Sequence, residues 1–183
     1  MQKLTNPLTQ KHKTTITIIL ISLLCLTATN TYAELRTNMS ADVVIGQADF
    51  TSATANQGGI GANTFYQPVY IFSDGKRLFI SDYVNNRVLI YNSIPTSNNA
   101  SADVVVGQPD FTSFVENQGN TPTPGPNTIY HPQGIFSDGK RLFIVDTDNN
   151  RVLIYNSIPT SNNASADVVV GQADFTSRLE NQT

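Results

Sequence analysis

Arg87-Val88-Leu89-Ile90-Tyr91-Asn92-Ser93-Ile94-Pro95-Thr96-Ser97-Asn98-Asn99-Ala100-Ser101-Ala102-Asp103-Val104-Val105-Val106-Gly107-Gln108 decides the fold, because it returns unchanged as Arg151 to Gln172. Chance does not produce an identity of that length, so the chain carries an internal duplication. Outward from it the repeat continues. Ile71 to Ile80 recurs as Ile135 to Ile144, and Ala41-Asp42-Val43-Val44-Ile45-Gly46-Gln47-Ala48-Asp49-Phe50-Thr51-Ser52 recurs twice, from Ala102 and from Ala166. Each unit reads as four short strands. In the first they are Ile71 to Ser73, Arg77 to Ser81, Arg87 to Tyr91 and Asp103 to Val106. Asp74-Gly75 and Asn85-Asn86 supply the turns, and Pro95 with Asn98-Asn99 forbids regular structure in the longer loop. The second unit repeats this with Ile135 to Ser137, Arg141 to Val145, Arg151 to Tyr155 and Asp167 to Val170. Val88-Leu89-Ile90-Tyr91 is apolar on both faces, as in a strand covered on both sides. Beyond the N-terminal segment no stretch has helical periodicity. The expected fold is all-β, made of four-stranded antiparallel sheets stacked face to face as blades of a β-propeller.

The 183 residues include 11 Lys and Arg against 14 Asp and Glu, a net charge of −3, with 39% apolar residues, one Cys and no Trp. That balance gives no electrostatic reason to expect nucleic acid as a partner. Residues 1–33 read as a secretory signal. Lys3, Lys11, His12 and Lys13 precede the apolar run Ile16 to Leu26, which is too short to span a bilayer, and Thr31-Tyr32-Ala33 offers small-residue cleavage. The reading places the protein outside the cytoplasm, secreted or periplasmic, with no membrane association beyond the signal. Cleavage removes 33 residues, Cys25 and three lysines, leaving 150 residues with eight basic and fourteen acidic groups and no disulfide. Residues 34–183 form the repeat segment: an orphan outer strand at 41–47, a blade at 68–108, a blade at 132–172, and the start of a further connection at 173–183.

Pro132-Gln133-Gly134-Ile135, Asp138-Gly139, Leu142-Phe143-Ile144-Val145-Asp146 and Asn149-Asn150-Arg151-Val152-Leu153-Ile154-Tyr155 together resemble an NHL repeat. The first unit is similar from Pro68 to Tyr91, with Val69-Tyr70 where the second has Gln133-Gly134. The Gly-Gln-Pro/Ala-Asp-Phe tag is similar to that of secreted bacterial members. The resemblance covers essentially the whole segment after the signal and implies a propeller. It leaves two uses open, since NHL-like propellers serve as binding scaffolds and as lyases or hydrolases with a site in the central channel.

Asp82 and Asp146 end second strands, while Arg87 and Arg151 begin third strands across a tight corner. An Asp there accepts N–H groups of the turn and the Arg pairs with a carboxylate; the alternative is a ring of ligand-binding carboxylates. Asp146-Thr147-Asp148-Asn149-Asn150 opens like a calcium loop, but Arg151 stands where such a loop needs Gly and no Glu closes it. His131 is the one histidine after the signal, too few for zinc and without a visible partner nucleophile. The sequence therefore implies no metal, no cofactor and no catalytic constellation. Asn38, Asn99, Asn163 and Asn181 open glycosylation patterns, which are short and common. The repeats diverge most at Ala53 to Thr64 and Phe114 to Thr128, the connections between sheets. Tyr66, Tyr130 and His131, at the ends of these connections, are the candidate ligand-binding residues; the alternative is that the two Tyr wedge between sheets.

The functional expectation is an exported NHL-type scaffold that binds a protein or glycan at the cell envelope, with a propeller lyase or hydrolase fragment as the alternative. Known propellers close with roughly four to eight blades, so two blades leave a ring open. The reading expects further repeats past Thr183 or several copies joining head to tail into a homo-oligomeric ring.

Overall fold

The computed structural model describes residues 37–180. The expected signal at 1–33 and the glycosylation pattern at Asn181 lie outside the described residues. Eight strands follow in order: β1 (Pro68–Ser73), β2 (Leu78–Asp82), β3 (Arg87–Tyr91), β4 (Val104–Val106), β5 (Pro132–Ser137), β6 (Leu142–Asp146), β7 (Arg151–Tyr155) and β8 (Val168–Val170). They form two four-stranded antiparallel sheets, ordered β1-β2-β3-β4 and β5-β6-β7-β8. The protein is therefore all-β, with 3-10 turns at Glu116–Gly119 and Thr147–Asn149 among the described residues.

Side chains in the turns set where the strands stop. Asp74 Oδ1 accepts the N–H groups of Lys76 (2.9 Å) and Arg77 (2.7 Å), and Asp138 does the same for Lys140 (3.0 Å) and Arg141 (2.7 Å). Arg77 and Arg141 thus belong to the turn, and β2 and β6 begin one residue later than the sequence suggests. Gly75 and Gly139, at φ 86° and 88°, adopt the left-handed conformation this turn demands. The strands also extend where sequence gave no cue. β1 and β5 begin at Pro68 and Pro132, opposite Asp82 and Asp146, with a register shift after each proline. A proline is tolerated there because it opens a strand and owes no ladder N–H. Asp103 and Asp167 close the long loops instead of entering β4 and β8, since their carboxylates accept the N–H of Asn92 and Asn156 (2.7 Å each).

The two sheets stack, with β5 lying against β1 and β2. Phe79, Val88, Ile90, Val104 and Val106 of the first sheet pack on Ile135, Leu142, Ile144, Leu153 and Tyr155 of the second. Burying each aliphatic or aromatic side chain there contributes about 1.5–3 kcal/mol. The opposite face of the first sheet, Leu78, Ile80, Leu89, Tyr91 and Val105, is covered by Phe65, Ala102, Ile45, Ala100 and Phe111. This explains why β3 is buried along both faces. The corresponding β7 is buried on one face and half-exposed on the other, because nothing described covers the outer face of the second sheet. The two sheets do not close into a ring.

Residues 41–47 form no strand, and the expected orphan strand is corrected on this point. A strand needs a ladder partner, and among the described residues no β3-type strand lies beside Val43-Val44-Ile45. The segment nevertheless occupies the place of an outer strand. The Asn99 N–H donates to Val44 C=O (2.9 Å) and Asn98 Oδ1 accepts the Val44 N–H (3.0 Å). In the same way Asn163 N–H reaches Val105 C=O (3.1 Å) and Asn162 Oδ1 takes the Val105 N–H (3.0 Å). The Asn-Asn loop of each sheet therefore clasps the outer segment that precedes it and caps its free edge. Asn99 and Asn163 hold left-handed conformations, and their side-chain oxygens accept from Asn63 and Asn127. Both glycosylation patterns thus sit inside a structural clasp.

Acid sensitivity tests the turn chemistry. Backbone and side-chain hydrogen bonds from Arg141, then the Lys140 N–H, hold Asp138 down at about 2. A carboxyl depressed below its unfolded value of about 3.9 contributes stability above that pH and loses it as pH falls through the folded value. Asp138→Asn keeps the acceptor and removes the charge. In chemical denaturation the parent should exceed this variant by a constant margin above about pH 5, and the margin should vanish only below about pH 2; a pH-independent margin would refute the assignment.

Candidate functional site

The corner between β2 and β3 is built around a buried ion pair. Arg87 Nε donates to Asp82 Oδ2 at 2.7 Å with both side chains fully buried, and Arg151 and Asp146 repeat the geometry at 2.7 Å. The guanidinium continues to three carbonyls: Phe111 through Nη1, and Gly61 (3.0 Å) and Thr64 (2.9 Å) through Nη2. Asp82 Oδ1 accepts the Tyr66 N–H (2.7 Å) and Oδ2 accepts Asn85 Nδ2 (2.8 Å). The sequence suggests that this Asp binds amides of its own turn; it instead binds the incoming connection. Burial pushes the carboxyls of Asp82 and Asp146 above their ordinary value, opposed by the Arg charge and the donated hydrogen bonds. With these contacts made, all four residues face inward and none is open to a ligand.

The tag that follows β4 serves the same hub. Gly107 leaves the strand at φ 92°, and Gln108 Nε2 ties Asn86 C=O (3.0 Å) to Val115 C=O (2.9 Å). Asp110 Oδ1 then accepts the N–H groups of Thr112 (2.8 Å) and Ser113 (2.9 Å), turning the chain so that the Phe111 carbonyl meets Arg87. Asp49 and Asp174 make the same turn, and the Thr hydroxyl bond, first among its causes, brings Asp49 down to about 2.

The three candidate ligand residues lie at the strand ends beside this hub. Tyr66 is 41% exposed and Tyr130 is half-buried, so neither wedges between the sheets. Ile129 does that, against Gly107, while Phe65 packs on the far face of the first sheet against Gly46, each so close that a Cβ on the glycine would clash. His131 stands at φ 51°, its N–H bound to Asn86 Oδ1 (3.0 Å). Its ring stacks on Tyr83 (4.2 Å between centroids, 11° between planes) and leans on Tyr130 (4.5 Å, 40°). His131 Nδ1 lies 2.6 Å from Asp148 Oδ2, within hydrogen-bond distance. The structure thus brings Tyr130 and His131 together and leaves Tyr66 at the equivalent place one repeat earlier.

Tyr83 and Asp148 were not singled out as ligand residues by the sequence, although a signal was there. The corner reads Tyr83-Val84 in the first unit and Thr147-Asp148 in the second, while Gln67 becomes His131. The corner and the connection face each other, since Val84 N–H reaches Tyr66 C=O and Asp148 N–H reaches Tyr130 C=O. The exchanges on the two elements are therefore one change. A second paired exchange lies close by. Tyr70 pairs with Ser81 across the first sheet, whereas Gly134 accommodates Val145, whose Cγ2 would lie 2.9 Å from any Cβ there. Val69, Tyr70, Tyr83, Gln133, Gly134 and Val145 line a groove of about 590 Å³ next to the stack.

Within the calcium-like stretch, Asp146 is engaged by Arg151 and Asn149, Asn149 exchanges two amide bonds with Asn117 (3.0 and 2.8 Å), and Asp148 holds His131. Among the described residues no group of three His, Cys, Asp or Glu could hold a metal, and no helix is long and apolar enough to cross a membrane. Compared with known proteins, the chain matches no family model and no curated protein.

Substitutions separate scaffold from surface. Arg87→Met leaves a buried carboxylate unpaired and should cost about 3–5 kcal/mol in denaturant titration. His131→Gln, which installs the residue of the first repeat, should cost at most about 1.5 kcal/mol, the worth of its ring contacts. Equal losses would contradict the division.

Proposed function

We propose that this chain is an exported propeller segment of NHL-type repeats whose loop end binds a protein or glycan partner at the cell envelope. One observation carries the reading. The connections between the sheets differ most, but within the blades most of the few positions that differ between the repeats, 69/133, 70/134, 81/145 and 83/147, gather at the groove, with the Gln67/His131 exchange in the stack beside it. A scaffold held constant with one variable concave patch is the arrangement of a binding module. The patch suits a ligand with an apolar face and a polar rim: aromatic rings, valines and Gln133 line it, and the His131–Asp148 pair adjoins it through Tyr83. A sugar ring or an apolar peptide side chain has that character. The export part of the reading rests on residues 1–33 alone.

A second reading is favoured by the Asp148–His131 pair, which orients an imidazole as a general base requires. The two readings part on one series of proteins. Glycan and peptide arrays probed with the full chain should return a ligand whose binding weakens at least tenfold in Tyr83→Ala and Tyr130→Ala. Binding that these variants leave untouched, or arrays with no ligand, would contradict the scaffold reading. Turnover of an array ligand, abolished by His131→Ala, would replace it with the enzyme.

A further inference from the structure

We propose that the exposed outer face of the second sheet docks onto the first sheet of another copy of this chain, in the place that residues 42–46 occupy, reproducing between chains the junction that already exists within one. This rests on the propeller reading of the fold and not on any ligand.

The internal junction is the template. In the first sheet, Val104 and Val106 are buried under the second sheet; the identical Val168 and Val170 of β8 are 40% and 51% exposed. Phe72 is partly covered by its contact with Phe136 (5.4 Å between centroids), while Phe136, its counterpart, stands 53% exposed. Val145 completes this apolar face. The receiving surface is incomplete in the matching way. Ile135 is 3% exposed where it meets the first sheet, and Ile71, the same residue one repeat earlier, is 62% exposed beside an apolar hollow formed with Ile45, Phe65 and Ile80. Each chain therefore displays an exposed apolar face on its second sheet and, on its first, the matching face, covered by residues around Ile45 and Phe65 and open at β1. A patch this apolar on a soluble domain marks an association surface.

The clasp supplies a second, polar argument. Asn162-Asn163 hold Val105 of β4, and the identical Asn98-Asn99 hold Val44. Val169, the counterpart of Val105, has no clasp among the described residues. Docking would bring Val169 of one copy to Asn98-Asn99 of the next, where residues 42–46 now sit. The segment and the second copy therefore compete for one place, and Asn98-Asn99 exchange Val44 for Val169 with no change in the bonds formed. Because the two faces differ, the contact is heterologous, so it propagates head to tail and stops only when a ring closes.

Mass measurement over a concentration series tests this with four proteins: the full chain, Val168→Lys/Val170→Lys, Ile71→Lys, and a variant lacking residues 41–47. The substituted side chains are solvent-exposed in the single chain, so circular dichroism should show unchanged folding. The full chain should form an assembly of integral multiples of its mass. Either lysine variant alone should need at least tenfold more protein to assemble, and removing 41–47 should lower the requirement at least tenfold. Mixing the two lysine variants should give a dimer and nothing larger, since each retains one intact face. Monomer throughout, assembly indifferent to both lysine variants, or larger species in the mixture would each overturn the proposal. Monomers that still bind an array ligand would overturn it while leaving the scaffold reading standing.

Discussion

The Asp–Arg pair at each β2–β3 corner is the constraint on which the rest depends. A buried guanidinium has several donors to satisfy, and an unmet one costs more than a met one gains. Arg87 meets them by gathering three separated segments: its own sheet through Asp82, the incoming connection through Gly61 and Thr64, and the outgoing tag through Phe111. Asp82 adds the Tyr66 N–H, so the connection is held from two sides. A replacement pair of apolar residues could match the burial but not the directions. The hub thus converts two loops with little regular structure into fixed ledges, which allows the loops to vary in sequence without losing position.

Several features that look decorative in the sequence acquire a cause from this hub. In its copies at 107–113 and 171–177 the Gly-Gln-x-Asp-Phe-Thr-Ser tag is a device for delivering one carbonyl to one guanidinium. Its glycine turns the chain out of the strand, its glutamine ties two loops, and its aspartate folds the next three residues back. Asn85 and Asn149 extend the same network to Asn56 and Asn117 in the connections. Buried amides exchanging two hydrogen bonds fix register more sharply than apolar packing does.

Much of the fold was legible. Strand positions followed from alternation of apolar runs with Asp-Gly and Asn-Asn, and errors of one to three residues arose where a side chain entered a turn or a proline opened a strand. The apolar character of both faces of Val88 to Tyr91 correctly implied neighbours on both sides. Less could be read where the partner is distant in sequence. Asp82 binds an amide sixteen residues upstream, and the sequence offers no periodic signal for that. Residues 41–47 have a strand's composition, yet strandedness is a property of pairs, and among the described residues no strand pairs with them. Ile129, not the tyrosine beside it, fills the junction, and Phe65 packs on the far face of the first sheet, because the glycines at 107 and 46 leave room for a side chain at that step only. The aromatic stack was half legible: His131 stood out, while Tyr83 and Asp148 emerge only when both elements of the corner are compared together.

The central claim is that the ion pair anchors the connection that carries the candidate surface. Native-state hydrogen exchange at the Tyr66 and Tyr130 amides, which donate to Asp82 and Asp146, tests it most directly. The account predicts that both exchange only through global unfolding, with protection equal to that of β3 and β7. Exchange at the rate of an exposed loop, while β3 and β7 stay protected, would contradict it.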